Sequence, residues 1–215
     1  MKILTEHEAK KLLAKYGVPV TKEQLASSAD EASAIALYIG APVAMKISSP
    51  DIPHKSDVGG VVLNVRREFV RTTYDELISQ VKKAAPDASI EGVLVQQMAP
   101  PGHEVIVGLK KDPQFGYALM FGLGGIFVEV YRDVSFRVVP IEKRDVLMMI
   151  SEIKGYSILK GVRGRKPADI DAIADVLMAV SGIAEKENII ELDINPLIVS
   201  EKGALAVDAR AMVEE

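Results

Sequence analysis

At Gly92 the chain changes texture, and no other feature limits its architecture as much. Before it, amphipathic helical patterns alternate with short strand patterns. Thr5-x-x-Glu8 is a capping box, followed at helical spacing by Ala9, Leu12, Leu13 and Tyr16 until Gly17 and Pro19 stop the element. Ser28-x-x-Glu31 repeats the device ahead of Ala32, Ile35, Ala36 and Ile39, with Gly40 just past the end. Thr73-x-x-Glu76 is expected to open a third helix through Tyr74, Leu77, Ile78 and Val81, closed by Pro86. After Gly92 strand follows strand: 93–98, 103–110, 117–121, 126–131 and 134–141. A last helix is expected over 169–183, then a hairpin-like couple of 189–194 with 204–208. The fold class expected is α/β, built as two α+β subdomains in tight contact, because no repeat or flexible linker separates them.

Composition excludes several kinds of function. With 215 residues, 48% of them hydrophobic, the chain can bury a core. A net charge of only −4, with both signs interspersed, offers no electrostatic surface for nucleic acid or an anionic membrane, so neither is an expected partner. No apolar run approaches the roughly 18 residues of a spanning helix, and the N-terminus turns polar too early for a signal peptide; a cytoplasmic location is expected. The absence of cysteine removes disulfides, thiolate zinc sites, iron–sulfur clusters and thiol nucleophiles. His, Asp, Glu, Asn and Lys are left to carry any chemistry.

Two segments do so. In Ser49-Pro50-Asp51-Ile52-Pro53-His54-Lys55-Ser56-Asp57-Val58-Gly59-Gly60-Val61, the prolines make an extended lead-in that presents His54 at a loop tip. Gly59 and Gly60 would let backbone N–H groups approach a ligand unobstructed. The strand Val43–Ser48 just upstream would turn Val43, Met45 and Ile47 into a core and aim Lys46 and Ser48 off the other face. The bland alternative is an idle surface histidine. In Glu191-Leu192-Asp193-Ile194-Asn195-Pro196-Leu197, with Asp208 on the next strand, carboxylate and amide oxygens suit Mg²⁺. A turn whose Asx side chains cap their own backbone reads equally well. Gly122-Leu123-Gly124-Gly125 fails as a dinucleotide fingerprint, since Phe127 stands where the third glycine belongs and a strand is expected next. Gly161 to Lys166 has neither the spacing nor the hydroxyl residue of a Walker A loop.

Taken together, Lys46 on a strand, the loop to Gly59-Gly60, the segment Val95-Gln96-Gln97-Met98-Ala99-Pro100-Pro101-Gly102-His103-Glu104, and Leu192 to Leu197 followed by Asp208 resemble an ATP-grasp domain. More narrowly, the chain from Thr5 onward resembles the β subunit of ADP-forming acetate–CoA ligases, relatives of the succinyl-CoA synthetase β subunit. The resemblance implies one ATP-grasp domain over 1–215, with one subdomain over about 21–92 and the other over 1–20 plus 93–215, and a nucleotide between them. It implies that Lys46 contacts the phosphates, that the backbone of Gln96, Gln97, Met98 and Ala99 reads adenine, that Glu104 binds ribose, and that Asn195 with Asp208 holds Mg²⁺. Succinyl-CoA synthetases carry an acid where this chain has Gln96, so only a backbone role carries over there. His54 would be a phosphate carrier between ADP/ATP and a histidine on a partner α subunit, which supplies CoA binding and acyl chemistry in an α₂β₂ assembly. The reaction implied is acyl-CoA + ADP + phosphate ⇌ acid + CoA + ATP, for which a neutral imidazole is a competent nucleophile. The rival reading is a regulatory ATP-grasp module of a larger acyltransferase or sensor that binds ADP without turnover. A stand-alone ligase would need an acceptor site, for which the chain offers no candidate.

Overall fold

The computed structural model describes residues 1–214 apart from Pro53, Ile126, Phe127, Glu129, Arg163 and Arg165. Two compact units emerge, Thr21–Met98 and a larger one made of Met1–Val20 with Ala99–Glu215.

The smaller unit is a four-stranded antiparallel sheet in the order β2 (Glu23–Ala26), β5 (Gly92–Gln97), β3 (Val43–Ser48), β4 (Val61–Val65). Helices α2 (Ala29–Ile39) and α3 (Val70–Ala84) cover one face of it. Ser28 caps α2 by accepting the Glu31 N–H, and Gly40, at φ 94°, ends it. Val43, Met45 and Ile47 point into the core with Ile35, Val70, Leu77 and Val81, each such burial contributing about 2 kcal/mol. The third helix starts earlier than expected. A 3₁₀ turn at Arg67–Phe69 runs directly into Val70, so Thr73 lies inside the helix, buried, and caps nothing.

In the larger unit the main path of a seven-stranded sheet runs β1 (Lys2–Leu4), β11 (Ala209–Val213), β9 (Ile189–Ser200), β6 (His103–Asp112), β7 (Gly116–Leu123), β8 (Val134–Val139). The remaining strand, β10 (Gly203–Ala206), folds back on β9 as a hairpin. All of these pairings are antiparallel. Helix α1 (Glu6–Lys15) carries the Thr5–Glu8 capping box expected of it. Two helices escape the sequence reading: α4 (Lys143–Glu152), whose first turn is held by Glu142 N–H donating to Asp145 Oδ2 at 3.0 Å, and the short α5 (Tyr156–Leu159). Helix α6 (Ile170–Lys186) is capped by Asp169. It lays Ile173, Leu177, Val180 and Ile183 against Val105, Val107, Leu192 and Ile194 of the sheet in one continuous core. Of the strand expected at 126–131, three residues lie outside the described ones; Val128 N–H donates to the Gly125 carbonyl at 3.2 Å, a helical turn rather than a ladder. No helix among the described residues is long and apolar enough to cross a membrane.

Candidate functional site

In the smaller unit, β3 carries Lys46 between β5 and β4, in register with Leu94 on one side and Val61 on the other. Lys46 and Ser48 lie on the face away from α2 and α3, yet both are buried, Lys46 to within 4% of full withdrawal. A lysine stem can bury itself along apolar surface while its ammonium seeks an anion.

The loop that follows is tied at its entry. Ser48 Oγ donates to Glu91 Oε2 (2.9 Å), Glu91 N–H donates to the Ser48 carbonyl (2.9 Å), and Ser89 N–H donates to Asp51 Oδ2 (2.8 Å). Ile52 is sunk in the smaller core, and His54 stands exposed two residues later. Pro53, part of the extended lead-in, lies outside the described residues. A 3₁₀ turn then spans Lys55–Val58. Gly59 N–H donates to the Ser56 carbonyl (3.1 Å) and Gly60 N–H to that of Lys55 (2.7 Å). The two glycines thus spend their N–H groups on closing the loop. A Cβ on Gly60 would stand 2.6 Å from Ile47 Cγ2 and 2.9 Å from the Lys55 carbonyl, and Gly59 sits at φ 65°. In this geometry they shape the loop rather than offer donors to a ligand.

At the exit from β5, Gln96 is buried, and Gln97 is engaged with Lys22 in both directions: Gln97 N–H donates to the Lys22 carbonyl (2.9 Å), and Gln97 Oε1 accepts the Lys22 N–H (3.0 Å). Among the described residues, no such tie holds the backbone of Met98 or Ala99.

In the larger unit, Glu104 is exposed on β6, and its carbonyl accepts the Gly124 N–H at 2.8 Å. The neighbouring His103 is buried. Its Nε2 lies 2.8 Å from the Lys166 carbonyl, which can only accept, so Nε2 carries the proton. His103 and Lys166 line a cleft of about 580 Å³ with Pro100, Val199 and Glu201.

The acidic segment is strand throughout, not an Asx turn. β10 and β11 run one after the other along the same edge of β9, and the two-residue link between them, Val207-Asp208, lies across from Asn195-Pro196. Asn195 N–H donates to the Asp208 carbonyl (3.1 Å) and Val207 N–H to that of Pro196 (3.0 Å). Asp208 therefore belongs to the link, not to a strand, and faces Asn195. Asp193, two residues before Asn195 and on the same side of β9, pairs with Arg210. Burial pushes the Asp193 carboxyl up to about 6; Arg210 opposes the rise, and the charges of Glu191 and Asp208 add to it. Asp193 belongs to the carboxylate-bearing segment that the sequence offers for Mg²⁺, although the resemblance gives the role to Asn195 and Asp208. Among the described residues no three His, Asp or Glu side chains cluster closely enough to hold a metal by themselves. One carboxylate with an amide beside it fits Mg²⁺, which binds through one or two carboxylates and completes its shell with water and phosphate.

Residues 1–213 match the ATP-grasp domain family. The chain is 50% identical to the β subunit of acetate–CoA ligase [ADP-forming] II of Pyrococcus furiosus, over 98% of its own length and 92% of that subunit. Among solved structures it is similar to the dinucleotide forming acetyl-coenzyme A synthetase 1 of Ca. Korarchaeum cryptofilum in complex with coenzyme A, Ca-AMPCP and HgCl⁺, with TM-score 0.97, 52% identity and coverage of 99% of this chain and 94% of that one. A second structure of that enzyme holds coenzyme A and Mg-AMPPCP, with its phosphohistidine segment pointing towards the nucleotide binding site; there the TM-score is 0.87 and the identity 48%, over 99% of this chain and 93% of that one. The end-to-end match of sequence and fold places the chain in the ATP-grasp family, among the β subunits of ADP-forming acetate–CoA ligases.

Proposed function

We propose that this chain is the nucleotide-handling β subunit of an ADP-forming acyl-CoA synthetase, and that His54 carries a phosphoryl group between a partner α subunit and ADP. One observation carries the reading: His54 stands exposed at the tip of a loop clamped at both stems, in a chain alike from end to end to β subunits of that enzyme class. A tip that is open while its stems are fixed suits a group that must meet two reactants. The α subunit would bind CoA and carry out acyl chemistry, in an α₂β₂ assembly.

In the ATP-forming direction, the bond between phosphorus and the His54 ring nitrogen breaks as a terminal oxygen of ADP bonds to the phosphorus, giving ATP and free imidazole. The reverse step labels His54 from ATP. Lys46 would balance the charge of the transferring group. Met98 and Ala99 would read adenine through their uncommitted backbone groups, with Gln96 and Gln97 setting the position of that segment. Glu104 would accept hydrogen bonds from the ribose hydroxyls. Asn195 and Asp208 would hold Mg²⁺, which when bound neutralises phosphate charge. Gly59 and Gly60 would serve nucleotide transfer indirectly, by closing the loop that bears His54.

Incubation with γ-labelled ATP tests this. Wild-type chain should acquire a label that survives base and is lost in acid, and His54→Asn should acquire none while still folding and binding Mg·ADP. Acid-labile label on folded His54→Asn would refute His54 as carrier. No label on wild type, despite bound Mg·ATP, would favour a module that binds without turnover.

A further inference from the structure

The motif Gly122-Leu123-Gly124-Gly125, dismissed as a dinucleotide fingerprint, lies against Glu104. Gly124 N–H donates to the Glu104 carbonyl at 2.8 Å. A Cβ on Gly124 would stand 3.1 Å from Glu104 Cβ and 3.2 Å from the Glu104 carbonyl carbon and oxygen. Most residue pairs with two Cβ atoms do not come so close, so any larger residue at 124 pushes Glu104 aside by a few tenths of an ångström. The backbone of Gly124 itself does not demand glycine, since its φ lies outside the left-handed region, whereas Gly125, at φ 60°, is there for its conformation. A Cβ on Gly125 would meet Glu104 Oε2 at an ordinary 3.9 Å. The two neighbouring glycines therefore have different reasons to be glycine, and the reason at 124 is Glu104.

We infer that Gly124 is a positioning residue: bare backbone pressed against Glu104 fixes where its carboxylate stands, and so sets the grip on the ribose hydroxyls of ADP. The inference rests on the reading that Glu104 binds ribose. A carboxylate accepting two O–H groups makes short, charge-assisted bonds whose strength falls steeply with misplacement. A displacement too small to disturb folding is therefore large enough to register in nucleoside recognition.

The test is calorimetric binding of Mg·ADP and Mg·2′,3′-dideoxy-ADP to the full chain. Wild type should prefer ADP, and Glu104→Gln should lose that preference. Gly124→Ala should reduce it by about tenfold, with affinity for the dideoxy nucleotide unchanged. Gly125→Ala should keep the preference despite its strained φ. Glu104→Asp should lose it, because a shortened acid on a fixed backbone cannot reach. Wild-type preference in Gly124→Ala, or equal losses in Gly124→Ala and Gly125→Ala, would overturn the inference while leaving the ribose role of Glu104 intact. If Gly124→Ala does not fold, Glu104→Asp decides, and full preference in that variant would overturn it. Preference retained by Glu104→Gln would instead remove the ribose reading, and this inference with it.

Discussion

Lys10 Nζ lies 2.9 Å from Glu6 Oε1, one helical turn earlier, and the two side chains are only 1% and 2% exposed. Both stand on α1 beside Ala9 and Leu13, which belong to the larger core. Two charges so far from water have to be balanced within the fold, and removing one takes away part of what balances the other. Lys10→Ala should therefore cost about 3–5 kcal/mol by chemical denaturation, whereas the double change Glu6→Leu with Lys10→Met should be nearer to neutral. A Lys10→Ala cost below about 1 kcal/mol, the range of exposed pairs, would contradict this.

The Asp208 carbonyl accepts the Asn195 N–H, which sets the two residues side by side. Asp208→Asn should weaken Mg·ADP binding by about tenfold or more, with a much smaller effect on binding of ADP in excess chelator, because Mg²⁺ gains most from the charged ligand. Equal weakening with and without Mg²⁺ would point to a structural role.

Gly59 and Gly60 should respond differently to alanine. At Gly60 the new methyl would meet Ile47 and a backbone carbonyl, neither of which can retreat, so Gly60→Ala should cost roughly 2–3 kcal/mol. At Gly59 it would meet the amide of Gln80, the end of a flexible side chain, leaving mainly the left-handed backbone cost of about 1 kcal/mol. Denaturation midpoints of the two variants check the order.

Glu187 Oε1 accepts both from Lys15 Nζ at 2.6 Å and from Tyr16 Oη at 2.7 Å. The Lys15 bond, then that of Tyr16, holds the Glu187 carboxyl below its ordinary value of 4.5, and the same bond to Glu187 raises the Tyr16 phenol above 10.0. A carboxylate whose folded pKa is depressed contributes stability above its unfolded pKa and loses it as pH falls through the folded one. Glu187→Gln should thus lower Tm at pH 7 and lose that effect below about pH 4. It should also bring the Tyr16 phenol titration, followed by ultraviolet absorbance, back towards its ordinary value.

Local chemistry made parts of this molecule legible in advance. Thr5 and Glu8 announce α1 because a capping box is a contact between neighbours in sequence, and Val43, Met45 and Ile47 announce the buried face of β3 through their alternation. Thr73-x-x-Glu76 misled because the motif says nothing of the 3₁₀ turn feeding the helix from upstream. Helix α4 was missed because Glu142 and Asp145 replace the usual hydroxyl-and-glutamate pair, although Val146, Met149 and Ile150 carry helical spacing. At the candidate site, the types of Asn195 and Asp208 were readable. That Asp208 sits in a link was not, because it depends on pairing between β9 and two successive strands. Nor could the sequence tell that Gly59 and Gly60 donate within their own loop, or that Gly124 owes its identity to Glu104.

The hairpin between Asn195 and Asp208 acts as a measuring device. Ser200 pairs with Gly203, and the ladder continues through Leu197 and Ala206. A single residue added within either arm would slip that ladder, turn one arm inside out, and shift Asp208 by a full step relative to Asn195. Only the tip at Glu201-Lys202 can lengthen without moving Asp208. Length variation among functional versions of this segment should therefore be confined to the tip, and the two arms should tolerate changes of letter but not of count.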